Sequence, residues 1–250
     1  MASAFAIVPA RHSDIPIIAA ISSESFDGDS NTEMKSHGKS PFIMKDYMLS
    51  SLPNTLENPK IRVIKAVEEG TGAIIGFCTW GFRGIQPPPF PDLGPREEKP
   101  PPPPASQSDN PETEKSDDDD PIARLEKLTS GDFDDWMKPL MREGNKCLFI
   151  VGLSVAPAFQ RRGVGSALLK WGTDLVDAAG GDAFAWVHSS QGACGAYQKA
   201  GFKTVRTLDV DLDEYAPVPA PTERYEGGKW GHYVFQYMIY GTPPAAGEEV

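Results

Sequence analysis

The chain has 250 residues, of which 40% are hydrophobic, and a formal net charge of −11. This length is enough for one large domain or two small ones with a sizeable apolar core. The longest apolar run is shorter than the roughly 18–20 residues of a membrane span, and no basic stripe with interleaved aromatic residues is present. The composition therefore argues against a membrane span and against nucleic-acid binding.

The cysteines give a further constraint. Cys78, Cys147 and Cys194 are far apart and form no C-x-x-C pair, which favours neither a disulfide framework nor a zinc site. Free thiols fit a reducing compartment. The first nine residues also lack the basic and apolar regions of a secretory signal. We therefore expect a cytoplasmic protein, with the nucleus as an alternative, and no bound metal; the oligomeric state stays open.

The N-terminal part of the chain alternates short apolar runs with polar loops. Apolar residues at helical spacing predict helices, and two β-branched runs around a glycine-containing turn are typical of an antiparallel hairpin. The expected elements are a strand at 5–8, a helix capped by Ser13 or Asp14, a polar loop at 28–38, a helix at 41–49 and hairpin strands at 61–67 and 73–80.

Residues 86–121 have a different composition. They contain twelve of the 24 prolines and ten acidic residues against three basic ones, and they have almost no large apolar side chains. Such a segment gains too little from burial to offset its ordering entropy. We therefore predict a disordered insertion within a single domain spanning residues 1–250.

The C-terminal part predicts alternating helices and strands. The expected elements are helices at 122–128 and 133–141 with a break near Pro139, a strand at 148–155, a helix from Val164, a strand at 182–188, a short helix near 190–199, and strands at 203–213 and 232–240.

The most informative stretch joins the strand at 148–155 to the helix that follows it. Its sequence is Gln160-Arg161-Arg162-Gly163-Val164-Gly165-Ser166. The two glycines permit positive φ and a close approach to a ligand, and the first N–H groups of a helix form an anion site. It matches neither the Walker A pattern nor the dinucleotide-binding fingerprint. An ordinary strand–helix connection is the alternative interpretation.

The stretch resembles the acetyl-CoA pyrophosphate loop, Gln/Arg-x-x-Gly-x-Gly/Ala, of the GNAT acetyltransferase superfamily. After one further predicted strand, Tyr197-Gln198-Lys199-Ala200-Gly201-Phe202 is similar to the Tyr-x-Lys-x-Gly-Phe end of a later segment of that family. Seven residues before the tyrosine the family often has Asn, whereas this chain has Ser190. Two motifs in the family's order support the resemblance over most of the chain outside residues 86–121.

The resemblance implies an α/β (α+β) fold with a mixed, mostly antiparallel twisted sheet flanked by helices. It implies transfer of an acetyl group from acetyl-CoA to a primary amine by direct attack in a ternary complex. The acceptor stays open. The implied cofactor-binding residues are Leu153, Ser154, Val155, Gln160, Arg161, Arg162, Gly163, Val164, Gly165, Ser166 and Ser190.

Tyr197 occupies the position of the family's usual general acid, and a phenol is a suitable proton donor to a leaving thiolate. The predicted strand before the loop carries no carboxylate, so the general base is not evident. Glu24, His188 and a chain of water molecules are the candidates. Two alternatives to an enzyme stay open: a CoA-binding module without catalysis, and an interaction scaffold whose proline-rich acidic insertion recruits partners.

Overall fold

The computed structural model describes residues 4–96 and 120–244. The helices are α1 (Ile15–Ser25), α2 (Ser30–Lys35), α3 (Met44–Glu57), α4 (Pro121–Leu140), α5 (Val164–Ala179) and α6 (Cys194–Lys199). The strands are β1 (Phe5–Pro9), β2 (Ile61–Glu68), β3 (Ile74–Arg83), β4 (Lys146–Val155), β5 (Ala183–Ser189), β6 (Lys203–Asp211) and β7 (His232–Gly241). None of the helices in these described ranges is long and apolar enough to cross a membrane.

The seven strands form one sheet in the order β1-β2-β3-β4-β5-β7-β6. β4 and β5 run parallel, and the other neighbouring pairs run antiparallel. The predicted α/β class with a mixed, mostly antiparallel sheet flanked by helices is thus confirmed. The predicted hairpin is confirmed as well, because β2 pairs antiparallel with β3.

Helices cover both faces of the sheet because the side chains of a strand alternate between its faces. On β3, Cys78 and Trp80 belong to the buried cluster that contains Leu168 of α5. Phe77, which directly precedes Cys78, belongs instead to the cluster that contains Ile18 of α1 and Leu52 of α3. The sheet is therefore packed between α5 on one side and α1 with α3 on the other.

The prediction of a polar loop at 28–38 is wrong for residues 30–35, which form α2. Asp29 caps this helix, since its Oδ1 accepts a hydrogen bond from the Thr32 N–H at 2.9 Å. Met34 is fully buried in a cluster with α4 and β7 residues. A helix of six residues with one core side chain carries too little hydrophobic periodicity to be recognised from sequence.

Two other helices are longer than predicted. α3 runs past the expected end at residue 49, through Pro53, because Leu52 and Leu56 are buried on its core face. The two helices predicted between 122 and 141 are one, and Pro139 lies in its last turn without breaking it. Asp132, in the expected gap, accepts hydrogen bonds from Tyr237 and Arg206, which holds that part of α4 on the sheet.

The predicted insertion lies between β3 and α4, and residues 97–119 of it are outside the described residues. Its described beginning is attached to the sheet and to α3. Arg62 donates to the Pro88 carbonyl at 3.0 and 2.7 Å, and Arg96 pairs with Glu57 at 2.9 Å. At the other end, Asp120 caps α4 by accepting from the Ile122 N–H at 3.1 Å.

Candidate active site

The sheet opens between β4 and β5. β4 pairs with β3 as far as Val155, but its parallel pairing with β5 ends at Ile150. A register shift in the β3–β4 pairing leaves Val151 without a partner on β3, and its side chain is 56% exposed. A bulge of this kind bends a strand and interrupts its ladder. The edge of β4 beyond Ile150 therefore faces a gap, not a neighbouring strand.

The predicted phosphate loop connects this opened edge to α5. Gly163 caps α5 with φ +86°, and Arg161 has φ +59°, which is unusual for a residue with a side chain. The expectation of positive φ holds for Gly163 and not for Gly165, which lies in the first helical turn. A left-handed conformation costs a residue other than glycine roughly 1–3 kcal/mol, and such residues cluster at ligand-binding sites. Gly163 adopts it without that cost.

The N-terminus of α5 presents its free backbone donors at this loop. Its first backbone hydrogen bond runs from the Ala167 N–H to the Gly163 carbonyl at 3.0 Å. The N–H groups just ahead of Ala167 have no intrahelical acceptor and lie at the positive end of the helix dipole. The Gln160 side chain holds the loop against β4 by donating to the Val155 carbonyl at 3.2 Å.

A first cavity of about 710 Å³ lies along the opened edge and reaches the start of α5. Nine of the eleven predicted cofactor-binding residues line it: Leu153, Ser154, Val155, Gln160, Arg161, Gly163, Gly165, Ser166 and Ser190. Two do not. The Val164 side chain is 1% exposed and belongs to the core, and Arg162 lies over the Phe159 ring at 5.2 Å.

The charges in the first cavity are divided between its two sides. Arg161 and Lys199 lie in the wall formed by the loop and α6, whereas Asp27 and Asp29 come from the segment after α1. With the α5 N-terminus, the two cations make the loop side suitable for an anion.

A second cavity of about 270 Å³ adjoins the first and shares Phe26, Leu153, Ser190, Ala193 and Tyr233 with it. Both Tyr197 and His188 line this second cavity. Glu24 lines neither: it is exposed on α1, one residue before the segment that does. The structure thus brings together Tyr197, His188 and Leu153, and leaves Glu24 outside both cavities.

The Tyr197 side chain is 4% exposed, with its ring in edge contact with Phe202 at 5.7 Å between centroids. Its hydroxyl has no hydrogen-bond partner within residues 4–96 and 120–244. Burial raises the pKa of Tyr197, and the nearby Cys78 thiol adds to the increase. The phenol is therefore firmly protonated and its proton is uncommitted.

His188 lies among aromatic rings at the end of β5. Its imidazole stacks on Tyr237 at 4.7 Å and on Phe133 at 5.2 Å. Burial lowers the pKa of His188 from its ordinary value of 6.5 to about 4, although Asp132 opposes this decrease. Its Nε2 is buried and has no partner in the described part of the chain. The ring is therefore neutral near pH 7, and its Nε2 is out of contact with solvent.

The sequence did not indicate Asp29 or Tyr233 as site residues. The Tyr233 hydroxyl donates to Asp29 Oδ2 at 2.7 Å, and Tyr233 lines both cavities. Burial raises the pKa of Tyr233, and the neighbouring carboxylate raises it further. Asp29 could have been recognised as a helix cap, but no sequence pattern connects it with Tyr233, since the two are 204 residues apart.

The model of the acetyltransferase (GNAT) family matches residues 32–202. The fold is similar to that of a mosquito arylalkylamine N-acetyltransferase-like protein, with 16% identity, a TM-score of 0.54, and 94% of this chain and 99% of that one covered. It is also similar to that of Drosophila melanogaster polyamine N-acetyltransferase, with 14% identity, a TM-score of 0.53, and 96% and 100% covered. No curated protein sequence matches the chain.

Proposed function

Because the chain belongs to the GNAT acetyltransferase family, we propose that its two adjoining cavities hold acetyl-CoA and an amine acceptor together. As a member of that family, the chain is an acetyl-CoA-dependent N-acetyltransferase. The observation that carries the proposal is that the cavities meet at the opened edge of β4. One of them ends on the α5 N-terminus, and the other contains the Tyr197 side chain.

In this proposal the first cavity binds acetyl-CoA. Its volume of about 710 Å³ is within the range of about 300–1,000 Å³ that is usual for ligand pockets. The free N–H groups of α5, together with Arg161, bind the pyrophosphate. The pantetheine arm lies along the edge of β4 beyond Ile150, where backbone groups have no partner on β5.

The same edge stabilises the reaction's oxyanion. A backbone N–H among Leu153, Ser154 and Val155 donates to the thioester oxygen as the amine attacks the carbonyl carbon. Loss of such a donor typically raises the barrier by about 2.7–4 kcal/mol. Holding amine and thioester in line in one ternary complex lowers the barrier further.

Proton transfer completes the reaction. The amine nitrogen forms a bond to the acetyl carbon, the carbon–sulfur bond breaks, and the CoA thiolate takes the proton of Tyr197 Oη. The uncommitted hydroxyl of Tyr197 supports this role, because no internal hydrogen bond has to break before the proton is donated.

We assign removal of the amine proton to Tyr233 and Asp29. The Tyr233 oxygen accepts an amine N–H while its own proton moves to Asp29 Oδ2, 2.7 Å away. This pair is better placed than either earlier candidate. Glu24 lies outside both cavities, and His188, with a pKa of about 4 and a buried Nε2, is a weak and shielded base.

The structures with the similar fold include enzymes named for arylalkylamines and polyamines, and the second forms N-acetylagmatine. These names support an amine acceptor for this chain as well. The test is release of CoA thiol from acetyl-CoA in the presence of amines, with the acetylated product identified by mass. Initial-velocity lines that intersect support a ternary complex, and parallel lines contradict it.

A CoA-binding module without catalysis is the second candidate, favoured by Ser190 in place of the family's frequent Asn. It predicts that acetyl-CoA raises the melting temperature but that no amine is acetylated. Transfer to any amine that is lost in Tyr197→Phe rules this candidate out.

A further inference from the structure

The second cavity has an unusual set of walls. Five phenyl and phenol rings line it, from four parts of the chain: Phe26 after α1, Phe42 before α3, Tyr197 on α6, and Tyr233 and Phe235 on β7. The β4 edge adds Val151 and Leu153. Among the described residues that line it there is no Asp or Glu. The lining also has neutral polar side chains, those of Asn31, Thr32, His188 and Ser190. An amine in this cavity thus meets rings, aliphatic groups and neutral polar groups, and no carboxylate of the described lining.

The only charged side chain in the described lining of this cavity is a cation. Lys35, on α2, is 19% exposed and pairs with Glu126 of α4 at 3.3 Å. Its backbone carbonyl accepts from the Phe42 N–H at 3.2 Å, so Lys35 and the Phe42 ring belong to one wall. A ligand with a second ammonium or guanidinium group would bring that charge towards Lys35.

The volume of the second cavity limits the size of the ligand that it can hold. Its volume of about 270 Å³ is slightly below the range of about 300–1,000 Å³ for drug-sized ligands. A single ring with a short alkyl arm is compatible with this volume, and ring faces pack well against the edges and faces of other rings.

We propose that the second cavity selects a small primary amine carried on an aromatic body and without a second positive charge. This inference rests on the proposed function, because it assigns the acceptor of the same reaction. The ring packs between Phe42 and Phe235, and the amine points to the β4 edge, where Tyr197 and Tyr233 lie. Arylalkyl monoamines are thus preferred over polyamines and agmatine.

The first experiment compares four acceptors at saturating acetyl-CoA by thiol release: phenethylamine, hexylamine, agmatine and a short peptide with a free N-terminus. We expect kcat/KM for phenethylamine to exceed that for agmatine by about tenfold or more, with hexylamine between them. Aromatic rings also attract cations, so a preference for agmatine is a real alternative, and it would overturn the inference. A preference for the peptide would overturn it too.

The second experiment tests the ring contact directly. Phe42→Ala should raise the KM for phenethylamine about tenfold and leave that for acetyl-CoA unchanged, because Phe42 lines only the second cavity. Phe90→Ala is the matched control: Phe90 is an exposed ring on Arg62, outside both cavities. Both positions are at least partly exposed, so both variants should fold, which thermal unfolding verifies.

The proposed acceptor and the proposed function can be overturned separately. If acetyl-CoA binds and some amine is acetylated, but Phe42→Ala does not change the KM for phenethylamine, the acceptor assignment is wrong and the proposed function stands. If none of the four acceptors is acetylated although acetyl-CoA binds, the acceptor assignment is overturned, and the wider screen of amines described above decides the proposed function.

Discussion

The Tyr233 hydroxyl and Asp29 Oδ2 lie 2.7 Å apart and connect β7 to the turn before α2 at the boundary of the two cavities. If this pair removes the amine proton, Tyr233→Phe should lower kcat about 100-fold with little change in the KM for acetyl-CoA. Asp29→Asn should give a similar loss and should still cap α2, because Asn is as good a cap as Asp.

Tyr225→Phe is the control for this prediction. Tyr225 also donates to a carboxylate, Glu33, at 2.9 Å, but it lines neither cavity. Its loss should leave kcat nearly unchanged. Equal losses in Tyr225→Phe and Tyr233→Phe would show that both tyrosines only hold the structure together.

If Tyr197 protonates the leaving thiolate, as proposed, Tyr197→Phe should also lower kcat about 100-fold, with unchanged KM values. The wild-type pH profile gives a further test. Because burial raises the pKa of Tyr197, the phenol keeps its proton above its usual range near 10. The rate should therefore show no fall from Tyr197 ionisation between pH 8 and about 10; a basic limb below 9 that disappears in Tyr197→Phe would contradict this.

Gly165→Ala should weaken acetyl-CoA binding without harming the fold. An added Cβ meets only Val155 Cγ2, at 3.7 Å, and Gly165 has no positive φ, so the methyl group enters the cavity without backbone strain. We expect the KM for acetyl-CoA to rise about tenfold.

Gly131→Ala, in α4, is the matched control for the effect on helix stability, because an added Cβ there meets nothing within 4 Å and lies outside both cavities. Both changes should raise helix stability by about 0.5–1 kcal/mol, as measured by denaturant unfolding. A KM for acetyl-CoA that stays the same in Gly165→Ala would exclude the α5 N-terminus as the phosphate site.

His188 should make the fold sensitive to acid. Its pKa of about 4 is below the value of 6.5 for an exposed histidine, so between these pH values the unfolded chain binds a proton that the folded chain does not. The stability is complete above pH 6.5 and falls as the pH approaches 4, by roughly 3 kcal/mol in all at about 1.36 kcal/mol per pKa unit.

His188→Phe keeps a ring in the stack and removes the titration, so its free energy of unfolding should change less between pH 6.5 and 4. His232→Gln serves as a control with the opposite sign, because its hydrogen bond to Asp209 raises the pKa of His232. A wild-type protein and a His188→Phe variant with the same pH dependence would show that the imidazole is accessible to protons in the folded state.

The parts of the candidate site that depend on local chain geometry can be predicted from the sequence. Gly163 belongs to a short pattern between a strand and a helix, and Tyr197 belongs to one between a helix and a strand. Asp29 and Tyr233 were missed because their contact joins distant parts of the chain. α2 was not predicted because Met34 is the only residue of this helix that is buried. The other residues of α2 are polar, which is typical of a loop.

The two helices that contain an internal proline, α3 and α4, show a second reason why helix bounds are difficult to predict from sequence. Pro139 predicts a break in α4, but the cost of a proline is small in a last turn, where few backbone bonds remain to be lost. Likewise, burial of Leu52 and Leu56 outweighs Pro53 in α3. In α3, tertiary packing thus overrides the local effect of a proline, whereas in α4 the position of the proline makes its effect small.

The gap between β4 and β5 also has a consequence for the order of events in a catalytic cycle. Leu153 and Tyr233 face both cavities, so a molecule that fills the first cavity becomes a wall of the second. Without that molecule, the acceptor lacks one side of its enclosure and makes fewer contacts. If the first cavity holds acetyl-CoA and the second the acceptor, as proposed, the affinity for the acceptor depends on prior binding of acetyl-CoA, which favours an ordered sequence in which acetyl-CoA binds first and free CoA leaves last.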